Sequence, residues 1–373
     1  MAKNQVAVLE PLRERVAQMQ KRYPEVSRRA LEVKSYSIAN LDDLLAQAQE
    51  SLKVKGYQVH LAKDAQDALA YIASVIGDRL VVASESATLE EIDLIPSLKQ
   101  KGIKVIETEM DGFARALKGK ERDPGMGYGA LWTRLARGDL KALYQEIGRP
   151  VPEGEIDAQE ISEVIRLWTR KYIAEAPVGI TGTGAVVTET GTVVFQENEG
   201  NVRMVSNLPP VHIVVAGLDK LVPTLEDAFA VLRAAAVYGY GQPIGNYVSL
   251  ITGPSRTGDI EFIIVNGMHG PLEVHLVLLD NGRTQALRDG LEEVLYCVGC
   301  RACLNNCPIY AKDGSFPGAV KLILKAEAGG LNDKEASYLE TCAKCDICKK
   351  ACPVQIDPPK LIGRMQAKGK TAS

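Results

Sequence analysis

All eight cysteines of this 373-residue chain lie in its last quarter, and their spacing limits what that part of the chain can fold into. They form two runs of one pattern, C-x2-C-x2-C-x3-C-P, the first from Cys297 to Pro308 and the second from Cys342 to Pro353. Three cysteines at this spacing place three thiols on one tight loop. The proline after the fourth cysteine opposes the continuation of a helix. Each run therefore predicts a compact loop built around its thiols.

The same spacing ligates [4Fe–4S] clusters in bacterial ferredoxins, where the fourth cysteine of a run binds the cluster of the other run. The two runs therefore predict two [4Fe–4S] clusters with crossed ligands, and with them a role in passing single electrons. The first predicted ligand set is Cys297, Cys300, Cys303 and Cys352, and the second is Cys342, Cys345, Cys348 and Cys307.

Zinc sites and disulfides explain the spacing less well. A zinc ribbon uses paired C-x2-C knuckles, with four ligands per ion and no third cysteine at the same interval. Disulfide frameworks are typical of small secreted domains, whereas a long stretch without cysteine precedes Cys297 here. A degraded [3Fe–4S] cluster or an empty site is the remaining alternative.

Charge is distributed unevenly between the two parts of the chain. From Cys297 to the C-terminus there are twelve Lys or Arg and seven Asp or Glu, although the whole chain has a net charge of −3. Charges near a cluster tune its reduction potential. The basic side chains within the runs either offset the negative charge of thiolate-bound clusters or are solvated surface residues; they are Arg301, Lys344, Lys349 and Lys350.

Composition excludes several other classes of protein. A net charge of −3 provides no field for nucleic acid. The N-terminus lacks the basic and then apolar pattern of a secretory signal, and the longest apolar runs are too short to cross a bilayer. We therefore expect no membrane span and no nucleic-acid partner. Because eight cluster-type thiolates need reducing surroundings, we expect the protein in the cytoplasm.

The pattern of apolar residues divides the chain into three parts. Residues 1–50 predict an N-terminal helical segment. Residues 51–290 alternate strands with amphipathic helices, which indicates an α/β domain with a mixed or largely parallel sheet. Within it, the Glu-Thr-Gly between Ala185–Thr188 and Thr192–Phe195 predicts a β-hairpin. Residues 224–236 predict a helix capped by Thr224, with Asp227 three residues on. Residues 291–365 predict a mainly α-helical module that carries the two clusters.

Several residues outside the cysteine runs are candidates for binding a small ligand. Amides of a glycine-rich turn after a strand, together with an arginine, can hold a phosphate or carboxylate at the strand ends. Tight-turn glycines, a surface arginine and helix caps are the alternative, and because the turn is not G-x-G-x-x-G, a nicotinamide site is disfavoured. The candidates are Thr181, Gly182, Gly184, Glu189, Glu199, Arg256 and His269.

Two further features allow only general predictions. Residues 111–155 break the strand and helix alternation with a glycine-rich stretch between Pro124 and Gly129, which favours a lid or a partner contact. Lys220, close to Pro223 and just before a predicted helix, could reach an anion, but a surface position at the helix entry is the default expectation.

The middle of the chain contains several longer motifs, among them Thr188-Glu-Thr-Gly191, Leu208-Pro-Pro-Val-His212 and Ser249-Leu-Ile-Thr-Gly-Pro-Ser-Arg-Thr257. These motifs resemble the LUD (lactate-utilisation) domain family. Joined to the twin cysteine runs, they are similar to the iron–sulfur subunit of the L-lactate oxidation complex. Two places differ from that pattern: Ala83 and Glu85 stand where the family has lysines.

The resemblance implies a fold related to sugar-phosphate isomerases and CoA transferases. It also implies partners, namely a second LUD protein and a cysteine-rich or flavin-containing subunit. The function implied is an electron-transfer subunit of a cytoplasmic complex that oxidises L-lactate to pyruvate. Two alternatives stay open: an electron relay and docking subunit of a hydrogenase-, formate- or flavin-linked complex, and a non-redox transferase or sensor with structural clusters.

Overall fold

The computed structural model describes residues 2–109, 137–151, 157–312 and 316–367. The chain begins with three helices, as predicted for its N-terminal segment: α1 (Ala2–Arg22), α2 (Glu25–Ala39) and α3 (Leu41–Val54). Most of the predicted lid or partner segment, including its glycine-rich stretch, lies outside the described residues.

A six-stranded sheet of parallel strands forms the centre of the molecule. Its order is β1-β12-β7-β4-β2-β3. Every residue of the central strand β7 is buried, which is typical of a parallel sheet covered on both faces. The strands are β1 (Gln58–Ala62), β2 (Val81–Ala83), β3 (Val105–Glu107), β4 (Val178–Thr181), β7 (Val211–Gly217) and β12 (Glu273–Leu279).

Helices cover both faces of this sheet, and apolar side chains fill the space between. One face packs against α4 (Ala65–Ile76), α5 (Ala87–Glu91) and α6 (Leu94–Gln100). The end of the sheet at β2 and β3 also packs against α7 (Arg137–Glu146) and α8 (Ala158–Glu175). The alternating part of the sequence therefore folds as the predicted α/β domain.

A second, mixed sheet lies over the first, with the order β8-β5-β6-β9. Its hairpin of β5 and β6 is the predicted one, and Gly191 at its turn has a φ of +64°, which a side chain would disfavour. The antiparallel strands thus leave the central sheet and pair separately. The strands are β5 (Ala185–Val187), β6 (Thr192–Glu197), β8 (Leu221–Val222) and β9 (Tyr247–Ile251).

Three further elements complete the α/β part. A separate antiparallel pair is formed by β10 (Arg256–Ile260) and β11 (Ile263–Asn266). Helix α9 (Asn201–Asn207) follows β6. Helix α10 (Leu225–Tyr240) is capped by the hydroxyl of Thr224, which accepts from the backbone N–H of Asp227, as the sequence predicts.

The described residues of the C-terminal part form short helices joined by turns, with no strand. Its short elements are α11 (Arg283–Arg288), a 3₁₀ turn (Glu292–Tyr296), α12 (Ala302–Asn305), α13 (Pro308–Lys312), α14 (Ala319–Glu327), α15 (Asp333–Glu340), α16 (Ile347–Ala351) and α17 (Pro358–Ala367). These helices share one apolar core with α2 and α10. The cysteine runs are therefore held against the rest of the protein.

Within the described residues, none of the helices combines the length and the apolar character that crossing a membrane requires.

Candidate iron–sulfur centre

The two cysteine runs adopt matching backbone conformations. In the first run, Gly299 and Arg301 have φ values of +74° and +58°. In the second run, the equivalent residues Lys344 and Asp346 have φ values of +49° and +59°. Left-handed residues on either side of the second cysteine turn the chain sharply. This turn therefore bends each run between its first and third cysteines.

A short helix follows each turn and carries the third cysteine of its run. Helix α12 includes Cys303, and helix α16 includes Cys348. The two helices pack against each other, which brings the runs together although they are far apart in sequence.

The thiols interact electrostatically in two groups, and each group draws on both runs. In the first group, Cys297 and Cys352 both act on Cys300 and Cys303, and Cys348 of the other group also acts on Cys303. In the second group, Cys342 and Cys345 act on Cys307 and Cys348. These interactions agree with crossed ligand sets, and the ligand sets themselves stay a prediction. All eight cysteines are free of disulfides.

Burial makes these thiols hard to ionise without a metal nearby. It raises the pKa of Cys300 and Cys303 well above that of an ordinary thiol. It also raises the pKa of Cys307 and Cys352, and that of Cys348 to about 11. A bound metal reverses this effect, because it deprotonates a coordinating thiol outright. The donor set therefore suits iron, which supplies the positive charge that clustered thiolates need.

A cavity of about 520 Å³, counting its part open to solvent, lies beside the four thiols of the second group and also reaches Cys303 of the first. Hydrocarbon surrounds the thiols there, so a group bound by them is held among apolar side chains. The lining includes Cys303, Cys307, Cys342, Cys345 and Cys348, the apolar Leu304, Ile309, Phe316, Val320 and Ile347, and the prolines Pro308, Pro358 and Pro359. In the described part of the chain, no three or more His, Cys, Asp or Glu side chains form a group that could hold a metal ion. A [4Fe–4S] cube differs from an ion in having four irons for its four cysteines.

The first run is docked on the α/β domain. The guanidinium of Arg301 lies 3.0 Å from a carboxylate oxygen of Glu85, which directly follows strand β2. The backbone of Cys300 lies against Gly239 of helix α10 so closely that a Cβ there would be 2.6 Å from the Cys300 carbonyl oxygen. Lys220 donates to the carbonyl oxygen of Cys297 over 3.4 Å.

The glycine-rich turn after β4 is tightly packed. The hydroxyl of Thr181 lies 2.9 Å from Nε2 of the buried His212. A Cβ on Gly182 would lie 1.9 Å from Oγ of Ser86, and one on Gly184 would lie 2.5 Å from a methyl of Leu232. These glycines are needed for close approach between elements. Their part in ligand binding stays a prediction.

The remaining predicted ligand residues lie on the surface. Glu189 and Glu199 are exposed, as is His269 in the loop after β11. Arg256 on β10 donates to the backbone oxygen of Lys55 over 2.6 Å. The described contacts do not join these four residues into one site, and their role in binding also stays a prediction.

Two groups of charged residues were not found from the sequence. Glu109 follows β3, accepts from the amide of Asn201 over 2.8 Å, and has its pKa raised by burial to about 8. Lys220, expected by default on the surface, keeps 17% of its side chain exposed but joins an ion network with the buried Asp219 and Arg283. The apolar residues on both sides of Asp219 and Lys220 were the available signal.

Comparison with known proteins gives two matches to family models. Residues 45–279 match the LUD domain, and residues 293–356 match the 4Fe-4S dicluster domain. The second match covers all eight cysteines. The C-terminal part of the chain is thus an iron–sulfur domain.

Curated relatives match most of the chain. The "uncharacterized electron transport protein YkgF" of Escherichia coli is 33% identical over 92% of this chain and 72% of its own length. "Lactate utilization protein B" is 31% identical in both Bacillus subtilis and Anoxybacillus flavithermus, over 89% of this chain and 68% and 69% of theirs.

One solved structure is also similar. A DUF162 family protein from Deinococcus radiodurans aligns with 64% of this chain and 98% of its own, at 16% identity and a TM-score of 0.34. At this TM-score the likeness assigns neither fold nor function.

Proposed function

Because the chain belongs to the LUD domain family and carries an iron–sulfur domain, we propose that it is the electron-transfer subunit of a complex that oxidises L-lactate to pyruvate. Oxidation of a 2-hydroxy acid releases two electrons, whereas a [4Fe–4S] cluster carries one at a time. A protein with two clusters can therefore separate the pair and pass it on. The names of the relatives, one an electron transport protein and the others lactate utilisation proteins, support this proposal.

The observation that carries the proposal is the grouping of the thiols. In our assignment Cys297, Cys300, Cys303 and Cys352 hold one cluster, and Cys307, Cys342, Cys345 and Cys348 hold the other. The left-handed turns present three thiols of each run, and the contact of α12 with α16 supplies the fourth. What a bound cluster adds is reversible one-electron chemistry.

We assign the three parts of the chain different roles. Residues 1–50 form a helical brace, residues 51–290 an α/β platform, and residues 291–365 the two-cluster module. The shared core of α2, α10 and the C-terminal helices keeps the module fixed on the platform. A fixed position suits electron transfer, because the distance between donor and acceptor has to stay short.

We also propose the partners and the location. The partners are a second LUD protein and a cysteine-rich or flavin-containing subunit, since removal of two electrons at one carbon needs a two-electron acceptor before the clusters. The complex lies in the cytoplasm, where reducing conditions preserve cluster thiolates.

An anaerobic reduction experiment tests the proposal. The full chain is purified with and without its co-eluting proteins, its iron content is measured, and L-lactate is added while EPR follows cluster reduction. We expect about eight irons per chain, as two cubes require, and reduction by lactate only in the presence of the partners. The matched control is D-lactate at the same concentration.

Three outcomes would contradict the proposal in different ways. If the purified chain contains zinc in place of iron, it has no iron–sulfur clusters. Clusters that no donor reduces would make the protein a sensor or transferase with structural clusters. Clusters reduced by formate, hydrogen or reduced flavin, but never by lactate, would assign the relay to a different complex.

A further inference from the structure

A buried ion network lies beneath the first cysteine run. Its central residue, Asp219, belongs to the 3₁₀ turn Leu218–Lys220, which directly follows the central strand β7. Nζ of Lys220 lies 2.9 Å from Oδ2 of Asp219 and 3.4 Å from the carbonyl oxygen of Cys297. The network therefore connects the middle of the sheet to the first cysteine of the first run.

Two more cations surround Asp219. Lys34 of helix α2, only 1% exposed, donates to the Asp219 carbonyl oxygen. Arg283, 2% exposed, bonds to the Asp219 carboxylate and also to Glu91, at 2.8 and 2.9 Å from its two oxygens. Glu91 accepts in addition from the amide of Asn281 over 2.8 Å. Every member of the network is therefore bonded to another member or to the backbone, and Lys220, with 17% of its side chain exposed, is the one nearest the solvent.

The formal charges of this network do not cancel. Burial alone would raise the pKa of Asp219, but Lys220, Arg283 and Lys34 outweigh it and hold that pKa far below its usual range. Burial lowers the pKa of Lys34 to about 8, which leaves it protonated at neutral pH. Lys34, Lys220 and Arg283 against Asp219 and Glu91 give three positive and two negative charges, a surplus of one positive charge.

The surroundings of the second run are different. Lys344, Lys349 and Lys350 are exposed, and Lys349 is paired with Asp357 at 2.6 Å. Exposed charges are screened by water and salt, so each acts weakly on its neighbours. Charges in a low-dielectric interior act much more strongly at the same distance. The buried network is therefore the stronger influence, and it lies at the first run.

We propose that Lys220 is a positioning residue for the first cluster, and that through it the surplus positive charge of the network supports the reduced state of that cluster. The inference rests on the proposed two-cluster function. One-electron reduction changes a four-thiolate [4Fe–4S] cluster from a charge of −2 to −3. Burial opposes this added charge, and a largely buried cation against the ligand backbone offsets that opposition. Lys220 thereby keeps the first cluster reducible although its predicted ligands Cys300 and Cys303 are partly buried.

The test is a reductive titration of the full chain with dithionite under anaerobic conditions, followed by EPR. A water-soluble dysprosium chelate distinguishes the clusters, because it relaxes the signal of the cluster beside the exposed Cys345 more strongly. In Lys220→Gln we expect the first cluster, called the shielded cluster from here on, to become harder to reduce. Its reduced-to-oxidised ratio should fall about tenfold at a fixed potential, which corresponds to a reduction potential lower by 59 mV for one electron. The other cluster keeps its potential.

Three variants separate charge from shape. Lys220→Arg keeps the charge and should restore the potential. Lys34→Gln removes a cation without touching the Cys297 contact, and should shift the same cluster in the same direction by less. Lys344→Gln removes an exposed cation at the second run and should leave the shielded cluster unchanged.

Each other outcome counts against the proposal. Unchanged potentials in Lys220→Gln, equal shifts of both clusters, or an equal shift in Lys220→Arg would overturn it. If Lys220→Gln no longer binds the shielded cluster, the potential of that cluster in Lys34→Gln tests the proposal instead, and an unchanged potential there overturns it. Iron content and two EPR signals are first established in the unmodified chain, so absence of clusters there refutes the proposed function and not the role of Lys220.

Discussion

The two cysteine runs share one sequence pattern and one backbone turn, yet they lie in different surroundings. In the first run Val298 and Ala302 are 9% and 3% exposed, and the loop rests on helix α10 and strand β2. In the second run Cys345 is exposed and Ile347 is 39% exposed. A ligand motif therefore specifies which atoms bind, while the packing around it specifies the dielectric and charge that the bound group meets.

The difference also suggests how the two runs divide their work. The first run contacts buried charges of the α/β domain, whereas the second presents a thiol near the solvent. Because electron transfer between proteins needs close approach, a partner can reach the second run most easily. The predictions below test this contrast, beginning with the largest expected effect.

Replacement of Cys352 gives the largest effect, since it removes a ligand from a cluster. Cys352→Ser lies in the second run, but with crossed ligands it should abolish the shielded first cluster and about halve the iron content. EPR with the dysprosium chelate identifies which signal is lost. Cys307→Ser is the matched control and should abolish the exposed cluster instead. The opposite pattern would mean that each run holds its own cluster.

Ionisation of Glu109 should make the stability of the folded protein depend on pH. Burial raises the pKa of its carboxyl from 4.5 in the unfolded chain to about 8 in the folded protein. The neutral carboxyl therefore contributes fully to the free energy of unfolding below pH 4.5, and this contribution is lost as the pH rises through 8. Glu109→Gln stays neutral. It should therefore raise the free energy of unfolding at pH 9, by a few kcal/mol at most, and change it little at pH 5.

Thermal unfolding at both pH values measures this effect, and Glu107→Gln, next to the same strand end, is the control. An equal change in stability at pH 5 and pH 9 would show that Glu109 ionises normally in the fold.

Gly239 should be intolerant of even one methyl group. A Cβ there meets the Cys300 carbonyl oxygen at 2.6 Å, so Gly239→Ala should cost about 1–3 kcal/mol and lower the occupancy of the first cluster. Gly363 lies in helix α17, and no atom lies within 4 Å of an added Cβ there. Gly363→Ala should therefore raise the free energy of unfolding by up to about 1 kcal/mol. Chemical denaturation and iron analysis compare the two. Equal stabilities would show that the first run can move away from α10.

The Glu85–Arg301 pair should have the smallest effect. Its side chains are 23% and 36% exposed, and such pairs contribute about 0–1 kcal/mol. Glu85→Gln should lower the melting temperature by no more than a few degrees. Asp346→Asn changes the residue that matches Arg301 in the second run, and it should leave the melting temperature unchanged. A large loss in Glu85→Gln would mean that this contact holds the module in place.

Local sequence signals predicted much of the fold. The Thr224 cap, the Glu-Thr-Gly hairpin and the strand and helix alternation depend on residues close in sequence, and the structure confirms them. The division of the strands between two sheets was not predicted, because it depends on pairing between distant segments. β6 pairs with β9, for example, about fifty residues later.

The candidate site shows the same limit. The thiol spacing predicts the ligand type from one short pattern. By contrast, the ion network of Lys220 depends on α2, β7 and α11 meeting at one point, and the apolar residues that flank Asp219 and Lys220 do not specify which charges meet there. Glu109 likewise becomes difficult to ionise only through the packing of distant elements. Single charged residues gain their properties from neighbours that the linear order does not place beside them.

The exposed position of Cys345 has a consequence for the protein in air. Small oxidants arrive from the solvent and meet the second run first, while Val298 and Ala302 cover the other. We therefore expect the visible absorption of the bound clusters to bleach in two stages. A briefly aerated sample would keep about half its iron, and that iron would be in the first cluster.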